Sequence, residues 1–208
     1  MALPLLVVTA VAAEAEAVRA GADPDHVVVE AVGAGPAAAA AGTARLLANG
    51  RYRGVVSAGI AGGFAGRAPV GAIVLGARSI AADLGAESPD GFLPIEELGF
   101  GRSVVESDVD LIKSLAAALP EAIVGDVLTL ATVTGTAATA QRLAERFPQA
   151  VAEAMEGFGV AIAAGDLPFA ELRAISNPVG PRDRGAWRLK EAFAALSTAS
   201  RALWTACG

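Results

Sequence analysis

Apolar positions along this chain come in short runs separated by helical patterns. Residues 3–9, 26–32, 54–59, 72–81, 123–132, 150–155 and 169–175 each read as strands, several of them nearly all apolar. Between them, residues 11–20, 37–49, 108–119, 136–147, 158–164 and 187–204 carry apolar residues at helical spacing, with Ser107 or Asp108 as the cap of the third. Residues 82–102 form a longer mixed segment holding Asp83, Glu87, Asp90, Glu96 and Glu97. Strands that alternate with helices and lack a polar face belong to a mainly parallel sheet covered on both sides. The expectation is an α/β fold of three layers, α/β/α, with a mixed, mainly parallel sheet, formed as a single domain over residues 1–208.

Composition narrows the class. Of the 208 residues 54% are hydrophobic but only 5% aromatic, which suits a large core packed from small side chains. The formal net charge of -6 argues against nucleic acid as a partner. Mean hydropathy is high, +0.52, which raises the membrane question. Charges and glycines interrupt every apolar run before the roughly 18 residues that a spanning helix needs. The first residues lack a basic stretch, and Glu14 and Glu16 break the apolar run that follows, so no signal peptide is read and a cytoplasmic location is expected. His26 is the only histidine and Cys207 the only cysteine, which leaves no His/Cys metal site, no disulfide framework and no Ser-His-Asp chemistry.

Two stretches stand out as chemistry. Gly33-Ala34-Gly35-Pro36-Ala37-Ala38 fits G-x-G-x-x-A between a strand and a helix. Pro36 removes one N–H from the cradle, and the next strand does not end in an acid for a ribose hydroxyl, so no dinucleotide cofactor is expected. The turn is read as a close backbone approach or as helix-on-strand packing. In the second stretch, residues 169–184, the strand is expected to stop at Ser176-Asn177-Pro178, because Pro178 has no N–H for a ladder. The charged loop Arg182-Asp183-Arg184 follows. Ligands of open α/β sheets bind outside the carboxyl ends of strands. Glu14, Gly62, Glu156 and Asn177 all fall at such ends, and converging polar groups on one edge is how such sites form.

Four stretches in this order, LLVVTAVAAEAEAV, SAGIAGGF, FPQAVAEAMEG and FAELRAISN, resemble the nucleoside phosphorylase and nucleosidase superfamily, and span most of the chain. Within it, residues 83–92, 132–137, 155–159 and 176–187 are similar to hydrolases that release hypoxanthine from a nucleoside bearing an aromatic carboxylate on its 5′ side. The resemblance implies the purine nucleoside phosphorylase-like fold, a small-molecule purine nucleoside as partner, no cofactor, and a homo-oligomer, most simply a dimer. It also assigns roles. Glu14 matches the water-activating acid, with Glu16 as the fallback. Glu156 matches the acid that binds the ribose hydroxyls, and Met155 the residue packing on the sugar. Asn177 matches the purine-binding residue, while Thr132 and Val133 line the base and Gly62 lies at the Gly-rich strand end. Three positions depart from methylthioadenosine nucleosidases: Asn177 stands for Asp, Ile60 for Ser and Ala154 for Glu.

Asn177 can donate to N7 or O6 of a 6-oxopurine, whereas adenine presents a donor at C6. The residue therefore leans toward hypoxanthine or guanine. Arg182 and Arg184 are candidates to clamp the substrate carboxylate, since an Arg fork matches that group. An internal Arg-Asp-Arg network through Asp183 is an equal alternative. Two other readings stay open. A phosphorylase would need a basic anion pocket at SAGIAGGF, and on the C-terminal side of that stretch Arg67 is the only basic residue nearby. A non-catalytic binding module would keep Glu156 and Asn177 without needing Glu14.

Overall fold

The computed structural model describes residues 3–205; Cys207 lies outside them. The chain runs β1 (Leu5–Thr9), α1 (Ala12–Gly21), β2 (Val27–Ala31), α2 (Pro36–Asn49), β3 (Gly54–Gly63), β4 (Ile73–Ala81), β5 (Gly85–Ser88), β6 (Gly91–Pro94), β7 (Val104–Glu106), α3 (Val109–Ala118), β8 (Ile123–Thr129), α4 (Ala137–Arg146), β9 (Ala150–Ala154), α5 (Gly157–Ala164), β10 (Phe169–Pro178), a 3-10 turn (Arg184–Ala186), α6 (Leu189–Ser200) and α7 (Ala202–Thr205).

The strands alternate their side chains between two helical layers. Leu5 and Val7 of β1, with Ala170, Leu172 and Ala174 of β10, pack against α1, α3 and α6 through Ala15, Val18, Leu111, Leu115 and Leu196. Leu6, Val8, Val55 and Phe169 face the other way, onto Ala39 of α2 and Val160, Ala161 and Ala164 of α5. The sheet is mixed, as expected. β1 pairs β2 and β3 in parallel, β3 pairs β10 in parallel, and β8 is parallel to β4 and β9. β10 meets β4, β4 meets β7 and β3 meets β9 antiparallel. The pairings β3–β10–β4–β8–β9–β3 form a closed ring, so most of the sheet curls on itself. Ala61, Val74, Val127, Ala152 and Ile175 form a small core of their own among these strands.

Three expectations are corrected. β10 does not stop before Asn177-Pro178: after an irregularity following Ile175 it goes on pairing β3, with Asn177 opposite Gly62 and Pro178 opposite Gly63. Proline is tolerated there because β4 pairs β10 only over 171–174, and Val179 N supplies the next bond, to Gly63 O at 2.8 Å. β3 itself runs four residues further than expected, to Gly63. The last helical stretch is two helices, starting at Leu189, with Trp187 in the preceding loop. Within 82–102, β5 and β6 pair as a small hairpin apart from the main sheet.

Candidate active site

Glu14 sits in the first turn of α1, where exposed N–H groups welcome a carboxylate. Its Oε2 accepts from Ala10 N (3.0 Å) and Val11 N (3.2 Å), and its Oε1 from Ile60 N of β3 (2.9 Å). The side chain is 3% exposed. Burial pushes its carboxyl above the ordinary value, while the Ile60 amide and the charge of Arg173 pull it back. Glu16, two residues on, is exposed and does not line the cavity that Glu14 borders.

Glu156 lies where β9 hands over to α5 and is also buried. Its Oε1 accepts from Gly35 N (3.1 Å) and its Oε2 from Met155 N (3.3 Å). Gly35 has φ +87°, a left-handed conformation that glycine adopts without strain. The G-x-G turn therefore presents a backbone amide to an acid.

Behind both acids lies Arg173, fully buried. Its Nη1 is 3.4 Å from Glu156 Oε2, its Nε 2.8 Å from Glu171 Oε1, and its Nη2 donates to Ser57 Oγ at 2.9 Å. The second Glu171 oxygen accepts from Ser79 Oγ. Burial works against the Arg173 charge, but Glu171, Glu156 and Glu14 outweigh it and raise its pKa. Sequence reasoning missed this column. Its signal was present in FAELRAIS, where two opposite charges two apart share one face of an otherwise apolar buried strand.

Glu14 and Glu156 border a cavity of about 260 Å³. Of the residues singled out in the sequence, Glu14, Gly62, Val133, Met155, Glu156, Asn177 and Arg182 line it, together with the two departures Ile60 and Ala154. Thr132 does not. It lines an adjoining groove with Phe92, Arg142 and Arg146, while Thr134 borders both spaces. Arg184 is also outside, in the 3-10 turn, beside a separate surface hollow. Asp183 Oδ1 accepts from Gly185 N at 2.9 Å and caps that turn, and Arg182 lies over the Trp187 ring at 5.5 Å. Asn177 is half-buried; Ser176 Oγ donates to its Oδ1 at 2.8 Å.

Sequence reasoning also passed over Ser176, Trp187 and Glu153, which line the cavity too. Arg67 is spoken for elsewhere: its guanidinium donates to the carbonyls of Ala144, Phe147 and Ala150 at 2.8–2.9 Å, closing the end of α4.

A curled α/β sheet with two buried acids and an amide around one cavity defines the class. The chain belongs to the Phosphorylase superfamily, whose family model matches residues 10–207. It is 56% identical over 183 residues to a futalosine hydrolase of Streptomyces coelicolor, covering 85% of this chain and 77% of that protein. It is 45% identical to a futalosine hydrolase of Acidothermus cellulolyticus, over 96% of this chain and 92% of the other. Among solved structures it is similar to a 5′-methylthioadenosine/S-adenosylhomocysteine nucleosidase of Colwellia psychrerythraea in complex with adenine, with TM-score 0.84 and 22% identity over 99% and 96% of the two chains. It is also similar to futalosine hydrolase of Helicobacter pylori, with TM-score 0.82 and 17% identity over 98% of each. At these identities the solved structures establish the fold.

Proposed function

We propose that the chain hydrolyses the N-glycosidic bond of futalosine, releasing hypoxanthine and dehypoxanthine futalosine, a step of menaquinone biosynthesis. The observation that carries this reading is the meeting of Glu14, Glu156 and Asn177 around one cavity, in a chain 56% identical to a futalosine hydrolase. Breaking the bond leaves positive charge on the ribose and negative charge on the purine, so both charges need partners. Glu14 takes a proton from a water below C1′ as general base. The Glu156 carboxylate accepts hydrogen bonds from the ribose hydroxyls, and its charge favours the cationic sugar. Met155 packs on the sugar, and Val133 and Gly62 border the base. Asn177 donates to N7 or O6 as charge builds there, an electrostatic contribution of the oxyanion-hole kind. Arg182, at the cavity wall, pairs with the substrate carboxylate on the 5′ side; Arg184 takes no part.

Water rather than phosphate as the attacking group is favoured by the charges. Glu14, Glu153 and Glu156 line the cavity against one cation, Arg182, and Arg67 is engaged with backbone carbonyls. An incoming phosphate would meet carboxylates first. A purely binding role would leave the three amides converging on Glu14 without use. We further propose that the enzyme works in the cytoplasm as a homo-oligomer, most simply a dimer; among the described residues no helix is long and apolar enough to cross a membrane. The test is product analysis after incubation with futalosine in phosphate-free and phosphate-containing buffer. Hypoxanthine and the free sugar product in both buffers are expected. A sugar 1-phosphate formed only with phosphate would make the protein a phosphorylase.

A further inference from the structure

Glu171 is an acid that the mechanism above does not use. It is fully buried in β10 and does not line the cavity. Two glycines make room for it. Gly76 stands opposite it on β4, where a Cβ would come within 3.0 Å of the Glu171 Cβ. At Gly157, the first residue of α5, a Cβ would collide with both carboxyl oxygens. Burying an ionised carboxylate is costly unless it is paired, and this one is. Its Oε1 accepts from Arg173 Nε at 2.8 Å and its Oε2 from Ser79 Oγ. Both oxygens accept, as suits an ionised carboxylate.

The other edge of the same guanidinium faces the site. Arg173 Nη1 is 3.4 Å from Glu156 Oε2, and across Gly59 it approaches Glu14 Oε1. Arg173 therefore has Glu171 at its Nε end and the two cavity acids at its Nη1 end. Among the described residues, the charged groups that act on Arg173 in this column are Glu171 from its own strand, Glu156 from the β9–α5 junction and Glu14 from α1. Ser57 of β3 and Ser79 of β4 add hydroxyls without charge.

We infer that Glu171 is a positioning residue for the reaction, which holds Arg173 by Nε and takes up its charge, so that the guanidinium orients Glu14 and Glu156 without drawing Glu14 into an inert ion pair. The inference rests on the nucleosidase reading above. A cation beside a carboxyl lowers its affinity for a proton, and a general base weakens as its pKa falls. Burial pushes the Glu14 carboxyl up while Arg173 pulls it down. A carboxylate of its own at Nε limits how far Arg173 can pull.

The test is the pH profile of kcat/KM for futalosine, with melting curves, in the intact protein, Glu171→Gln and Glu171→Asp. Glu171→Gln keeps the shape and drops the charge. Its acid limb is expected to move down by about one pH unit, with kcat lower by about 3- to 10-fold. Glu171→Asp keeps the charge, and its limb is expected within about 0.3 unit of the parent. An unmoved limb in a folded Glu171→Gln overturns the inference, whatever happens to kcat, and leaves Glu171 a support of the strand. An equal displacement in Glu171→Asp overturns it too, since charge would not be the cause. A second measurement needs no change at Glu171. In protein carrying 13C at the glutamate δ carbons, the Glu171 resonance, assigned by its displacement in Ser79→Ala, is expected at the carboxylate position at neutral pH. A protonated Glu171 there overturns the inference even where Glu171→Gln fails to fold. Absence of futalosine turnover by the intact protein, by contrast, overturns the nucleosidase reading and this inference with it.

Discussion

A Cβ on Gly59 would lie 2.6 Å from Glu14 Oε1 and 2.9 Å from Arg173 Nη1. Gly59 stands opposite Arg173 in the β3–β10 ladder, and its missing side chain lets the acid and the guanidinium close over the strand. Gly59→Ala must push one of them aside. A misplacement near 1 Å at a reacting group costs on the order of 100-fold in rate. Gly59→Ala is therefore expected to lower kcat by about that factor while the protein still melts cooperatively. Steady-state kinetics beside a melting curve checks it, and unchanged kcat would mean that Glu14 is not the base.

The Glu14 carboxyl is raised above 4.5 by burial, and a base must be ionised. The acid limb of the kcat/KM profile is expected to inflect above pH 4.5, activity falling as pH drops through the raised value. Glu14→Gln should cut kcat by about 100- to 10,000-fold and abolish that limb. Stability carries the opposite sign. An acid whose folded pKa is raised favours the fold while protonated, and that contribution is lost as pH rises through the raised value. The melting temperature of Glu14→Gln relative to the parent protein should thus climb from pH 4 toward neutrality. A flat difference would show that Glu14 is not perturbed by burial.

Arg173, itself fully buried, ties Glu171, Glu156 and Ser57 together. Removing one partner of a buried pair strands the other, at about 3–5 kcal/mol. Arg173→Ala is expected to melt roughly 10–15 °C lower. A loss of only a degree or two would show that the network relaxes or admits water.

Arg182 borders the cavity and Arg184 does not. A hydrogen bond to a charged group is worth about 1.5–3 kcal/mol. Arg182→Ala should raise KM for futalosine by about 10- to 150-fold and leave inosine, which lacks the carboxylate, unaffected. Arg184→Ala should change neither. An equal effect of Arg182→Ala on both nucleosides would assign Arg182 to ordering the loop with Trp187.

The layers were legible because apolar runs and helical spacing report local burial directly, and the carboxyl-end rule brought Glu14, Gly62, Glu156 and Asn177 to one region. The same rule says nothing of which residues lie abreast, since register is set by contacts far apart in sequence. Hence the ring of five strands, the row Glu153–Gly62–Asn177 and the reach of β10 to Pro178 emerged only in three dimensions. The β5–β6 hairpin escaped notice because GAES and GFLP carry no alternation to read. Arg182 and Arg184 looked equivalent in sequence, and only the 3-10 turn capped by Asp183 separates them.

The central claim, a hydrolase for a hypoxanthine nucleoside with a 5′ carboxylate, is tested most directly by base release. Purified protein is given futalosine, inosine and methylthioadenosine in separate phosphate-free reactions, with hypoxanthine followed for the first two and adenine for the third. Turnover of futalosine, with kcat/KM well above inosine and no adenine released, is the expected result. Adenine release from methylthioadenosine at a comparable rate would contradict the reading of Asn177 and, with it, the account of the site.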